Sequence, residues 1–152
     1  MNKKVKVLAV ASIGGHWIQL LRLTKAFDPQ IKLIYISTNN KCKEMIPDNR
    51  FYKISDFSRW DFYKIFPVFF QAIRIIVKEN PSAVISTGAA PGLICLFIAK
   101  LGGKKTIWVD SLANVDKLSL SGKIASKFVS RTYTQWEHLA ENNKIRFVGS
   151  TL

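Results

Sequence analysis

The residues best placed to do chemistry lie in Ala11-Ser12-Ile13-Gly14-Gly15-His16-Trp17. A histidine exchanges a proton near neutral pH, and two adjacent glycines let the backbone take positive φ and approach a ligand closely. Where such a turn joins a strand to a helix, the free N–H groups of the helix N-terminus attract an anion. Two further stretches share this character: Thr87-Gly88-Ala89-Ala90-Pro91, and the acid-hydroxyl pair Asp110-Ser111. A histidine, an acid and two glycine turns around one cleft could bind a phosphorylated molecule and move a proton. The catalytic candidates are His16 and Asp110, the latter orienting His16 or deprotonating a hydroxyl directly. The phosphate-binding candidates are Ser12, Gly14, Gly15, Thr87, Gly88 and Ser111.

Plainer readings stand beside these. The glycine turn could be a tight connection with a surface histidine, Asp110 could be a cap, and His138 reads as a surface helix residue. Neither the dinucleotide nor the P-loop glycine pattern is met. Ser12 and Ser111 lack the nucleophile elbow, and Cys42 sits in a lysine-flanked loop without an evident partner. The acids and histidines show no metal-ligand spacing, so neither a metal nor a cofactor is expected.

The elements that must position these residues follow from periodicity. Val5 to Val10 is a β-branched, nearly all-apolar run, as in a strand covered on both faces. Trp17, Leu20, Leu21, Leu23 and Phe27 then recur at helical spacing. Further strands are predicted at 31–38, 50–54, 83–87, 106–109, 132–135 and 145–148, with helices at 93–101 and 121–130. Residues 39–49, polar and containing Pro47, read as a loop with at most a turn of helix. This alternation predicts an α/β fold, a Rossmann-like doubly wound parallel sheet of about seven strands, in which the turns after strands one, four and five share one edge. A single domain over 1–152 is expected.

Composition bounds the partners. The chain has 152 residues, 48% hydrophobic and 12% aromatic, enough for one sizeable core. Its net charge of +13 is positive in every third of the chain and draws polyanions: nucleic acid, anionic membrane or phosphorylated substrates. No zinc, homeodomain or RNA-recognition pattern is present, so nucleic acid is not the expected partner. Two cysteines without a disulfide framework suggest a reducing, cytoplasmic compartment. Met1-Asn2-Lys3-Lys4 runs straight into the first strand and reads as neither a signal peptide nor a span.

One segment exceeds what a core needs. Phe57, Trp60, Phe62, Tyr63, Phe66, Phe69 and Phe70 crowd together, and a helix over about 60–78, kinked by Pro67, would be apolar around most of its circumference. Asp61, Lys64, Gln71, Arg74 and Lys78 make it a poor transmembrane span. Aromatics flanked by Lys64 and Arg74 suit the interface of an anionic bilayer; a helix packed between the sheet and a protein partner is the alternative.

Four stretches carry a family resemblance: S-I-G-G-H-W-I-Q-L from Ser12, I-S-T-G-A-A-P-G from Ile85, D-S-L-A-N-V-D-K-L-S-L-S-G-K from Asp110, and Q-W-E-H-L from Gln135 followed by Val148-Gly149-Ser150. Together they resemble the bacterial PssD/CpsF-type exopolysaccharide proteins. These are similar to the membrane-anchoring subunit of the eukaryotic dolichol-linked N-acetylglucosaminyltransferase and, more distantly, to the N-terminal half of MurG-like glycosyltransferases. The resemblance departs at Asp110, where the family usually carries glutamate. It implies the acceptor-binding half of a split GT-B enzyme, peripheral on the cytoplasmic face of the plasma membrane. A partner subunit would bind the UDP-sugar donor, and the acceptor would be a lipid-diphosphate-linked sugar. His16 and its glycine turn would carry over to the acceptor and catalytic cleft, with Thr87-Gly88 as the second loop lining it. The chain would then end about where a single-chain relative crosses into its donor domain.

Overall fold

The computed structural model describes residues 4–58, 60–141 and 143–151; the predicted lead-in over Met1 to Lys3 lies outside them. Seven strands form one parallel sheet: β1 (Lys6–Val10), β2 (Lys32–Ser37), β3 (Arg50–Lys53), β4 (Ala83–Ser86), β5 (Lys105–Val109), β6 (Arg131–Tyr133) and β7 (Ile145–Arg146). Their spatial order is β3-β2-β1-β4-β5-β6-β7. The chain thus builds outward from β1 in one direction, then returns to start again from β4. Between β1 and β4 the order reverses, which is the switch point where such sheets place ligands.

Five helices connect the strands: α1 (Gly15–Thr24), α2 (Lys41–Glu44), α3 (Ile65–Glu79), α4 (Ala90–Leu101) and α5 (Leu120–Ala125). Alternation along each strand sorts the core into two layers. Leu8, Val10, Ile34, Ile36 and Val84 face α3, α4 and α5, against Val68, Ala72, Leu96 and Ala125. Val7, Ala9, Tyr35, Ile85 and Val109 face the other way, toward Trp17 and Leu20 of α1 and Cys42 of α2. Each buried Val, Leu or Ile among them contributes about 1.5–3 kcal/mol by leaving water. Both cysteines are free and buried, one in each layer, and burial pushes the Cys95 thiol up to about 12.

Three predicted elements differ. The helix expected over about 60–78 with a kink at Pro67 is a 3₁₀ turn at Phe62–Lys64 followed by α3. Pro67 falls in the first turn of α3, where its missing N–H would have had no intrahelical partner, so nothing kinks. The helix expected over 121–130 ends at Ala125 because Lys127 and Phe128 bond three residues back, to Ile124 and Ala125, and wind the chain into tighter turns. The strand expected over 145–148 stops at Arg146, and Val148 stands 78% exposed.

Candidate functional site

The turns after β1, β4 and β5 meet at one edge, and the first turn of α1 joins them. Gly14 has φ 102°, open only to glycine without strain, and sends the chain from β1 into α1. That places His16 against the β4 turn. His16 Nδ1 donates to the Thr87 carbonyl at 3.0 Å, and the Thr87 hydroxyl donates to the His16 carbonyl at 2.7 Å. One bond fixes the imidazole and the other fixes the backbone that carries it. Its ring lies on Gly88: a Cβ there would stand 2.2 Å from Nδ1, and Gly88 itself takes φ 152°.

A carbonyl can only accept, so Nδ1 carries the hydrogen and neutral His16 presents a lone pair at Nε2. Among the described residues Nε2 has no partner. Around it, α1 and α4 both begin without a side-chain cap, leaving first-turn N–H groups unpaired. Ala89, the residue just before α4, holds φ 70° and ψ 162°, a region nearly reserved for glycine. Strain of this kind concentrates at ligand-holding turns. Two helix N-termini, a positive dipole end on each and a half-buried base between them suit an anionic ligand that bears a hydroxyl.

Asp110 lies at the same edge but faces inward. The residue is 1% exposed. Oδ1 accepts from Trp108 Nε1 at 3.0 Å and Ser119 Oγ at 2.6 Å; Oδ2 accepts from Asn114 Nδ2 at 3.1 Å and Ser119 N at 3.0 Å. Four donors fill the carboxylate, and Gly122 of α5 lies so close that a Cβ would meet Oδ1 at 2.6 Å. The expectation that Asp110 orients His16 is therefore corrected: Thr87 holds the imidazole, and Asp110 ties the loop 111–119 to the start of α5. Ser119 completes that tie by capping α5 through Gly122 N at 2.9 Å.

The remaining candidates divide. Ser12 is half-buried beside the glycine turn. Gly14 and Gly15 are exposed at the N-terminus of α1. Thr87 is fully buried and spends its hydroxyl on His16, so it holds the base rather than a ligand. The Ser111 hydroxyl accepts from Ala113 N at 3.2 Å within its own loop.

Residues that the pattern did not single out complete the frame. Gln19, one turn after His16 and 4% exposed, donates to the Asp110 carbonyl at 2.9 Å and accepts from Leu112 N at 3.2 Å. One helical turn of α1 thus reaches the β4 turn with His16 and the β5 turn with Gln19. From the far side, Trp136 Nε1 donates to the Leu112 carbonyl at 3.0 Å, and His138 Nε2, exposed as expected, bonds the Val115 carbonyl at 2.6 Å.

The aromatic segment splits between core and surface. Trp60, Phe62, Tyr63, Phe66 and Phe70 are 60% or more exposed. Phe57 and Phe69 instead pack on the core, Phe69 meeting Phe70 edge-on at 6.2 Å. Lys64 pairs with Asp61 at 3.3 Å, and Arg74 is exposed. On α3, Phe66, Phe70 and Val77 face away from Val68, Ala72 and Ile76, so the helix is apolar on opposite sides. Among the described residues no helix is long and apolar enough to cross a membrane. At the other end of the sheet, Lys4, Lys6, Lys78 and Lys104 line a basic cavity of about 480 Å³, far from the strand ends that hold His16.

Comparison with known proteins places this geometry. The family described as "Oligosaccharide biosynthesis protein Alg14 like" matches residues 37–151. A UDP-N-acetylglucosamine transferase subunit ALG14 from Yarrowia lipolytica is 27% identical over 90% of this chain and 76% of its own length. Among solved structures, Acinetobacter baumannii MurG superposes with a TM-score of 0.79 at 15% identity, covering 94% of this chain and 45% of its own. A UDP-N-acetylglucosamine 2-epimerase from Rickettsia bellii gives 0.73 at 17%, covering 98% and 46%. The chain spans less than half the length of both solved structures, and at such identities they establish a shared fold, not a shared reaction.

Proposed function

The chain belongs to the Alg14-like family of oligosaccharide biosynthesis proteins, and from that premise we propose that it is the acceptor-binding, membrane-associated subunit of a two-component glycosyltransferase. A partner subunit presents the UDP-sugar, and the acceptor is a sugar on a polyprenyl diphosphate, in exopolysaccharide or capsule assembly. The chain sits peripherally on the cytoplasmic face of the plasma membrane, its exposed aromatic arc at the interface and its basic field toward anionic lipid. Relatives named as UDP-N-acetylglucosamine transferase subunits support the division of labour.

The observation that carries the reading is His16, clamped by Thr87 with Nε2 open between two uncapped helix N-termini. The acceptor diphosphate lies on the N–H groups of α1 and α4. As the acceptor oxygen attacks the anomeric carbon, its proton passes to Nε2, the bond from that carbon to UDP breaks, and UDP leaves with the electron pair.

The inward-turned Asp110 favours one other reading: with both of its oxygens spent on its own loop and on Trp108, the chain could be a non-catalytic scaffold that anchors and activates its partner. The deciding experiment is sugar transfer from UDP-sugars to a lipid-diphosphate acceptor in membranes, with this chain alone and with the candidate partner subunit. Transfer only with both, lost with His16→Ala, supports the acceptor-site reading. Transfer unchanged by His16→Ala supports the scaffold, and transfer by this chain alone overturns both.

A further inference from the structure

Beside the exposed aromatics, α3 turns a different set of side chains toward the end of β3. At about 100° per residue, Arg74 and Lys78 follow directly on the arc of Phe66, Phe70 and Val77. With Tyr52 and Lys53 they line a cleft of about 260 Å³, backed by Gln71 and Ile75. Its walls are fixed. Gln71 accepts from Ser55 N at 2.8 Å and donates to Ser55 Oγ at 3.1 Å. The Tyr52 hydroxyl donates to Glu79 while Lys78 Nζ sits 5.5 Å from the centre of its ring.

The charge in this cleft is uncompensated. Glu79 is buried, and its carboxylate is taken by Arg50 at 2.7 Å and Lys6 at 3.6 Å. Those pairs and Lys64–Asp61 are the ion pairs among the described residues, and none includes Lys53, Arg74 or Lys78. Three cations around one small cleft, with an amide and a phenol ring for walls, match a phosphate group.

We infer that this cleft seats the phosphate of an anionic lipid headgroup. The inference rests on the membrane reading above and gives it a defined site. A lipid is the source because the cleft borders exposed rings that sit at headgroup depth in a bilayer, which brings phosphates to it at high local concentration.

The test is co-sedimentation of the full chain with vesicles of phosphatidylcholine alone or mixed with phosphatidylglycerol. K53Q/R74Q/K78Q is compared with K25Q/K41Q/K43Q, which removes equal charge from exposed positions just after α1 and on α2. The cleft variant should lose binding to the anionic vesicles by about a hundredfold, since each basic residue near the surface adds about 1 kcal/mol, and the control by less than about tenfold. Equal losses from the two variants overturn the cleft in favour of a diffuse field. Equal wild-type binding to both vesicles, abolished by F66S/F70S, overturns the cleft and leaves the membrane reading standing; no binding to either overturns both. Titration with glycerol phosphate separates the remaining source. Cleft-dependent binding of it, with vesicle binding indifferent to K53Q/R74Q/K78Q, overturns the lipid assignment.

Discussion

His16 and Asp110 stand at the same edge of the sheet, each just past a strand or turn that delivers it there, and they meet opposite fates. His16 spends one nitrogen on the Thr87 carbonyl and keeps the other open. Asp110 spends both oxygens on four donors and is 1% exposed. Topology brings a side chain to the edge; the donors and acceptors around it decide whether any of its chemistry remains for a ligand. The β4 turn supplies His16 with a single acceptor and a glycine floor. The β5 loop supplies Asp110 with an indole, an amide, a hydroxyl and a backbone N–H.

The sharpest way to break this contrast is to remove each group in turn. His16→Ala should lower transfer by the assembled pair about a thousandfold, the middle of the range for a lost general base. Thermal stability should fall by less than about 1 kcal/mol, because one half-buried hydrogen bond goes. Association with the partner should be unchanged in a pull-down. Asp110→Asn should do the reverse, costing about 3 kcal/mol of stability, since an NH₂ replaces an acceptor among groups that all donate. Its melting point should drop by about 10 °C, with transfer per folded molecule retained. A stable but inactive Asp110→Asn would return Asp110 to the chemistry.

Most of the fold was legible because strong signals agreed. Short β-branched runs alternating with helical stripes specify a parallel sheet, and Gly14-Gly15 marks where the first strand becomes a helix. The convergence of three turns followed from that topology. What sequence could not give was direction at the edge. Thr87 looks like a ligand-binding hydroxyl until its carbonyl and hydroxyl are both seen on His16. Asp110 looks like a base until Trp108, two residues back, is found donating to it. Gln19 was hidden because a buried amide in a helix reads as a surface residue until its two partners, ninety or more positions away, come into view. The aromatic segment was legible as an excess of apolar surface, but only burial separates Phe69 from Phe70.

Between these extremes lies a substitution that replaces neither titratable group. Gly88→Ala puts a methyl 2.2 Å from His16 Nδ1 at a backbone angle that favours glycine. The imidazole must swing away from the Thr87 carbonyl, so transfer should fall about a hundredfold, the scale at which a small misplacement of a catalytic group acts. Stability should fall by about 1 kcal/mol. Wild-type transfer by Gly88→Ala would mean that the clamped position of His16 is not the working one.

The smallest effect comes from a second buried carboxylate, and it shows what the neutral donors around Asp110 do by contrast. Glu79, at the opposite end of the sheet, is held by cations: Arg50 at 2.7 Å and Lys6 at 3.6 Å, with the Tyr52 hydroxyl alongside. Burial alone would raise its pKa, but the Tyr52 hydrogen bond, the Arg50 hydrogen bond and charge, and the Lys6 charge together hold it below the ordinary 4.5. A carboxyl with a lower pKa in the folded state binds fewer protons there than in the unfolded chain. Its stabilisation is therefore complete above the ordinary value and drains away as the pH falls through 4.5 toward the folded pKa. Glu79→Gln should cost about 1 kcal/mol near neutral pH, a small figure because half-exposed Arg50 is screened by water. The gap between wild type and variant should close as the pH drops below the ordinary glutamate value, since the amide has no proton to gain. Urea unfolding midpoints across that range measure it. A gap that stays constant with pH would mean that folding leaves the Glu79 pKa at its ordinary value, and that the hydrogen bonds and cations around it do not favour its charged form.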